Sequence, residues 1–181
     1  MKYLLDLCIG GLFLLGAMLF WNQMNKTEVP ALVPSSSPQL NTSVTDPGDA
    51  GKVTLAGIDI NNNGVRDDVE VYIETNVKDS ARHRAALMSV AAVTQKEILA
   101  ETKEEAVQVA VAGVRSIECL SYLGLRDQGR WREIDALMVN TEARLKAMDV
   151  HNDRIDGEVF QSLPDSQRRS ACTFDVESLP N

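Results

Sequence analysis

The chain has 181 residues, a net charge of −8 and 44% hydrophobic residues. That is enough for one domain with a modest core once the N-terminal region is set aside. The acidic balance excludes nucleic acid as an expected partner, because its recognition needs a basic surface that displaces phosphate counterions, and it suits cations.

From Leu7 to Trp21 the run LCIGGLFLLGAMLFW carries no charge, and it reaches back to Tyr3 if Asp6 is tolerated. At about 1.5 Å per residue, a helix from Tyr3 to Trp21 matches roughly the 30 Å of a hydrocarbon core. Residues 1–24 are therefore expected to form a single-pass transmembrane anchor. The alternative is a cleaved signal peptide, but the run ends in Leu19-Phe20-Trp21 with no Ala-x-Ala behind it, and Trp21 suits a membrane interface. Lys2 and Lys26 nearly balance across the span, so orientation is weakly signalled. Cys8 follows Leu5-Asp6-Leu7, which lacks the small residue that lipoprotein processing wants, and reads as a residue of the membrane helix. Residues 25–51 are rich in Pro, Ser, Thr, Asn and Gly without an apolar period, and read as a flexible tether with a reach on the order of 30 Å.

Residues 52–181 are expected to be a helical domain, and its first feature is the most informative in the chain. Asp59-Ile60-Asn61-Asn62-Asn63-Gly64-Val65-Arg66-Asp67-Asp68-Val69-Glu70 places oxygen-bearing side chains at positions one, three, five, nine and twelve, with glycine at six. Glycine there permits the positive-φ turn that sends a chain back over an ion. This stretch resembles an EF-hand calcium loop position by position, over these twelve residues and the helix start that follows. The wording also resembles a loop recurring in uncharacterised bacterial envelope proteins. The resemblance implies Ca2+ as cofactor and Asp59, Asn61, Asn63, Val65, Asp67 and Glu70 as its ligands. Val65 would act through its carbonyl, so its side-chain identity is expected to matter little. Two departures bear on the kind of site. Residues 50–58 do not read as an entering helix, and Arg66 occupies the eighth position, where paired loops carry an aliphatic residue. Both point to a single, unpaired loop of weak affinity, on the order of 10⁻⁵ to 10⁻³ M. A metal-free alternative makes Asn62-Asn63-Gly64 a turn and Asp67 with Glu70 a capping box, but leaves Asp59 and Asn61 without a purpose.

Beyond the loop, Val69 to Val77 reads as a short helix broken near Asn76–Ser80. Ser80 can cap a long helix through Ala100. A third helix, Glu104 to Leu123, opens on two acids and stops at Gly124; its apolar content places it at the centre of the core. A fourth runs from Arg130 to about Val150, where Ile134, Leu137, Met138, Leu145 and Met148 keep helical spacing. A brief last helix over Gly157 to Leu163 precedes Pro164. The expected fold is all-α: a small bundle of about four helices preceded by the EF-hand-like loop.

Cys119 and Cys172 are a natural disulfide pair in an exported domain. A second acidic stretch, Asp149 to Glu158, fails the calcium pattern because arginine holds the glycine position. Arg82-His83-Arg84 reads as a solvated helix face, and Glu104-Glu105 as a helix N-terminus. No phosphate loop, no Gly-x-Ser-x-Gly and no zinc spacing occurs, so no enzyme is expected, although an unrecognised catalytic site is the alternative. The sequence thus points to an inner-membrane, single-pass protein with its domain in the periplasm (or a secreted periplasmic form after cleavage). It would serve as an interaction or scaffolding protein with an envelope protein partner.

Overall fold

The computed structural model describes residues 44–78 and 80–181. The anchor expected over 1–24 and the tether as far as residue 43 lie outside the described residues. Among the described residues there are five α-helices and no strand, and no helix is long and apolar enough to cross a membrane. The fold of this region is all-α.

The helices are α1 (Asp67–Asn76), α2 (Ala81–Leu99), α3 (Lys103–Tyr122), α4 (Arg130–Met138) and α5 (Glu142–Ile155). Short 3-10 turns cover Gly48–Lys52, Arg126–Gln128, Asp165–Ala171 and Val176–Ser178.

The starts of α2, α3 and α5 each follow from a local side-chain bond. Ser80 Oγ accepts from the His83 amide, as expected. Thr102 and Glu105 form a reciprocal capping box at α3, so the acid pair is a helix N-terminus. Gly124, at φ +69, closes α3: Leu125 N–H reaches the Leu120 carbonyl at 2.8 Å and Gly124 N–H the Ser121 carbonyl at 3.1 Å, a Schellman arrangement.

Three expectations about the helices are corrected. The expected fourth helix is two helices, because Thr141 Oγ1 caps a new start by accepting from the Arg144 amide. The break changes the register, and Leu145 turns to solvent at 51% exposure. No helix forms over 157–163: Gly157 takes φ +79 after α5, and the chain then runs without regular structure, with Leu163 N–H held by Glu118 Oε1. The turn comes after Pro164 instead. Finally, α2 and not α3 is the centre of the core. It packs against all four other α-helices and buries Ala85, Ala86, Leu87, Met88, Val90, Ala91 and Ile98. Val107, Val111 and Val114 of α3 stay only partly buried. A Cβ on Gly113 of α3 would lie 2.8 Å from Glu97 Oε1 of α2, so a larger residue there would displace the end of that side chain.

The C-terminal tail covers another side of α2. Cys119 and Cys172 lie at disulfide distance, with S–S 2.00 Å, and Ala171, Phe174 and Val176 are buried around them. This tail also overturns the solvated reading of Arg82-His83-Arg84. Arg82 Nε donates to the Leu179 carbonyl, Arg84 Nη1 donates to the Val77 carbonyl, and His83 is buried.

Candidate metal centre

The loop 59–70 is positioned by the apolar row Val65, Val69, Ile73 and Val77, one residue per turn, all at 1% exposure or less. The side chain of Val65 is 0% exposed and belongs to the core. The expectation that its identity matters little is therefore wrong.

From that fixed end the loop folds back on itself. Gly64 sits at φ +85 and Asn62 at φ +54, so the reversal expected at Gly64 is present. Asp59 closes the first half: its Oδ1 accepts from the Asn63 amide at 3.1 Å and its Oδ2 from the Gly64 amide at 2.9 Å. Asn61 Oδ1 accepts from the Asn63 amide at 3.1 Å, and Asn63 Oδ1 from the Val65 amide at 2.9 Å. These bonds give Asp59 and Asn61 a purpose in the loop without an ion, which the metal-free alternative had lacked.

Glu70, on the first turn of α1, closes the other side. Its carboxylate is 1% exposed and accepts from Asn61 Nδ2 at 3.0 Å and from Asn63 Nδ2 at 2.9 Å. Positions three, five and twelve are thus brought together. Asp67 is arranged differently: its N–H donates to the Ile58 carbonyl at 2.9 Å, and its Oδ1 accepts from the Ile60 amide at 3.0 Å. The residue before α1 is Arg66, which makes no side-chain capping bond. Asp67 is not the cap of a capping box, and the alternative reading of the loop loses that element.

Asp67 is 0% exposed, and its Oδ2 has no hydrogen-bond partner. A buried carboxylate oxygen without a partner is costly. Burial, against the bond from Ile60 and together with the charges of Asp59 and Asp68, holds the Asp67 carboxyl above the usual carboxylate range.

Among the described residues, no group of three His, Cys, Asp or Glu side chains is gathered closely enough to hold a metal ion. What the loop gathers is a mixed set of carboxylate and amide groups, with the amide nitrogens of Asn61 and Asn63 turned toward Glu70. Amide oxygen and nitrogen are nearly the same shape, so rotation of each amide exchanges donor for acceptor at the same place. The oxygen-rich donor set and the partnerless Asp67 Oδ2 fit a hard cation.

Two buried arginines, whose roles sequence spacing does not signal, hold the loop in the domain. Arg66 is 1% exposed and donates to both oxygens of Asp68 and to the Leu137 and Met138 carbonyls. Arg144 is 0% exposed and donates to the carbonyls of Gly51, Thr54 and Leu55 and to Asn140 Oδ1. Burial pushes the Asp68 carboxyl up, but the bonds and charge of Arg66 and the charge of Arg144 outweigh it and hold it below its ordinary value.

A separate pair of half-buried carboxylates, Glu97 on α2 and Asp135 on α4, was also not signalled. Burial and the Asp135 charge push Glu97 up to about 7. Asp135 is itself raised by burial, against a bond from Thr94 Oγ1.

The chain matches no known protein family, no curated protein and no solved structure.

Proposed function

We propose that this protein binds one calcium ion structurally in the loop 59–70 of a membrane-anchored, periplasmic helical domain that serves interaction or scaffolding in a bacterial envelope. The observation that carries the calcium reading is Asp67 Oδ2, buried without a partner at the ninth position of a loop in which Asn61, Asn63 and Glu70 are brought together. Asp59, Asn61, Asn63, Asp67 and Glu70 would hold the ion by side-chain oxygens and Val65 by its carbonyl. The amides of Asn61 and Asn63 would turn to give oxygen in place of nitrogen. The ion supplies positive charge to a buried acidic loop and fixes the start of α1; no reaction step is assigned to it.

The net charge of −8 favours cations over anionic partners. The apolar run from Leu7 to Trp21 supports the anchor and the periplasmic placement, where a weak site still fills.

Thermal unfolding of the full-length chain with calcium and with chelator tests this. A ligand at ten times its dissociation constant stabilises by about 1.4 kcal/mol, which is a rise of a few degrees in Tm. Asp59→Ala combined with Glu70→Gln should abolish the response. An unchanged Tm at 10-fold the weakest expected dissociation constant, about 10 mM, would overturn the calcium reading.

A further inference from the structure

The segment 51–58 enters the loop from the N-terminal side and is held in an unusual way. Of its side chains, Lys52, Val53, Thr54 and Ala56 are exposed, and Leu55 packs part-buried against the core. Its carbonyls do most of the holding. Arg144 takes those of Gly51, Thr54 and Leu55 at 2.6, 3.1 and 3.1 Å, Gln95 Nε2 takes that of Ala56 at 3.0 Å, and Asp67 N–H takes that of Ile58 at 2.9 Å.

The same groups are tied to the calcium loop. Asn140 accepts from Arg144 at 2.6 Å and donates to Asp68 at 3.3 Å, and Asp68 is paired with Arg66, the eighth residue of the loop. Gly57 threads between the two arginines. At φ +74, a Cβ on it would lie 2.5 Å from Arg66 Cδ and 2.9 Å from Arg144 Nη2. Asp67 belongs to both assemblies, holding Ile58 by its N–H and closing the loop by its carboxylate. Asp59, the first loop position, follows Ile58 directly, so this strap cannot lift away without drawing on the loop's first position.

We propose that docking of the strap 51–58 and cation binding in the loop 59–70 are one coupled equilibrium: calcium locks the strap onto the domain, and its removal lets the strap open. The proposal rests on the calcium reading above. It gives that site a role in controlling how the chain N-terminal to residue 51 is joined to the helices. It also accounts for Arg66, which departs from the paired-loop pattern because it reaches away from the ion to the bend between α4 and α5.

Hydrogen exchange of the full-length protein, with calcium chloride as the probe, tests the coupling. If the strap opens only from the ion-free loop, calcium at ten times its dissociation constant lowers opening about 11-fold. Exchange of the 51–58 amides, among them Gly57 N–H on Thr54 Oγ1, then slows about 11-fold where closing outpaces exchange. Linkage is reciprocal, so Gly57→Ala, which crowds both arginines but lies outside the ligand set, must weaken calcium binding by the factor by which it lowers the closed-strap population. We expect at least 5-fold, read by titration calorimetry. Calcium binding without change in strap exchange overturns the coupling and leaves the calcium reading standing. An unaltered calcium affinity in a Gly57→Ala protein whose strap is mostly open without calcium, its amides unprotected from exchange, overturns it as well. Absence of any calcium binding overturns both.

Discussion

Arg66 and Asp68 are two residues apart and meet as a two-pronged pair, Nε to Oδ1 and Nη2 to Oδ2, each at 2.9 Å. The guanidinium is almost wholly buried, while the carboxylate keeps 18% of its side chain exposed. The remaining donors of Arg66 go to the Leu137 and Met138 carbonyls, at the end of α4 where the helix stops. One side chain thus answers the open carbonyls of a helix C-terminus and fixes the loop that precedes α1.

Removing that guanidinium strands its partners. Arg66→Met keeps most of the volume but takes the side-chain donor from the Leu137 and Met138 carbonyls and leaves the Asp68 carboxylate without its charged partner. A loss of about 3 kcal/mol is expected, since breaking one side of a buried charged network costs roughly 3–5 kcal/mol. Urea denaturation should show a lower midpoint with an unchanged m value.

Val65→Ala tests the core role of the seventh loop position. Its backbone carbonyl stays, so a residue needed for that group alone would tolerate the change. A buried side chain that loses two methyl groups should instead cost about 1–3 kcal/mol. The measurement is denaturant unfolding under chelator, where calcium makes no contribution, and a change below about 0.5 kcal/mol would return Val65 to a backbone-only role.

The pair Cys119 and Cys172 encloses a sequence separation of 53 residues. In the chain-entropy model such a cross-link stabilises by about 4 kcal/mol. Cys172→Ser, or reduction of the intact chain, should lower the unfolding free energy by about that amount, read from the denaturant midpoint. The tail at 171–176 should gain the most hydrogen exchange, because Ala171, Phe174 and Val176 pack there beside the pair. Equal exchange across all helices would instead mean that the tail has no separate stability.

Much of the fold was legible because helix boundaries in this chain are written by local chemistry. Ser80 caps α2, Gly124 ends α3 and Gly64 reverses the loop, each by the bond or dihedral that its residue type favours. Asn140-Thr141 carried the same kind of signal, but the apolar spacing across 130–150 hid it. The twelve-residue loop was legible as a pattern of oxygens, and the structure brings Asn61, Asn63 and Glu70 together. The clamps were not legible. Arg144 grips Gly51 at a separation of 93 residues, and Arg66 reaches Met138 across 72. No local period encodes such pairs, and each arginine alone reads as a surface charge. The centre of the core was misplaced for a related reason: α2 is rich in alanine, and small side chains mark close packing more than their hydrophobicity suggests.

Glu97 gives the domain a pH dependence whose sign can be worked out. Its carboxyl is pushed from 4.5 to about 7 in the folded chain, by burial first and by the Asp135 charge second. Between those values the folded state holds a proton that the unfolded state has released, so stability falls as pH rises. The contribution is fully present below about 4.5, is lost through about 7, and does not change further above that. At about 1.4 kcal/mol per unit, the loss is at most about 3 kcal/mol. Glu97→Gln keeps the shape and removes the titration. The variant should match the parent near pH 4.5 and exceed its stability at pH 8 by about 1–3 kcal/mol. Asp135→Asn should shift the parent's transition to lower pH without abolishing it, because burial of Glu97 remains. Urea midpoints measured across pH 4.5–8 under chelator decide the matter, and parallel profiles for parent and Glu97→Gln would remove Glu97 as the group responsible.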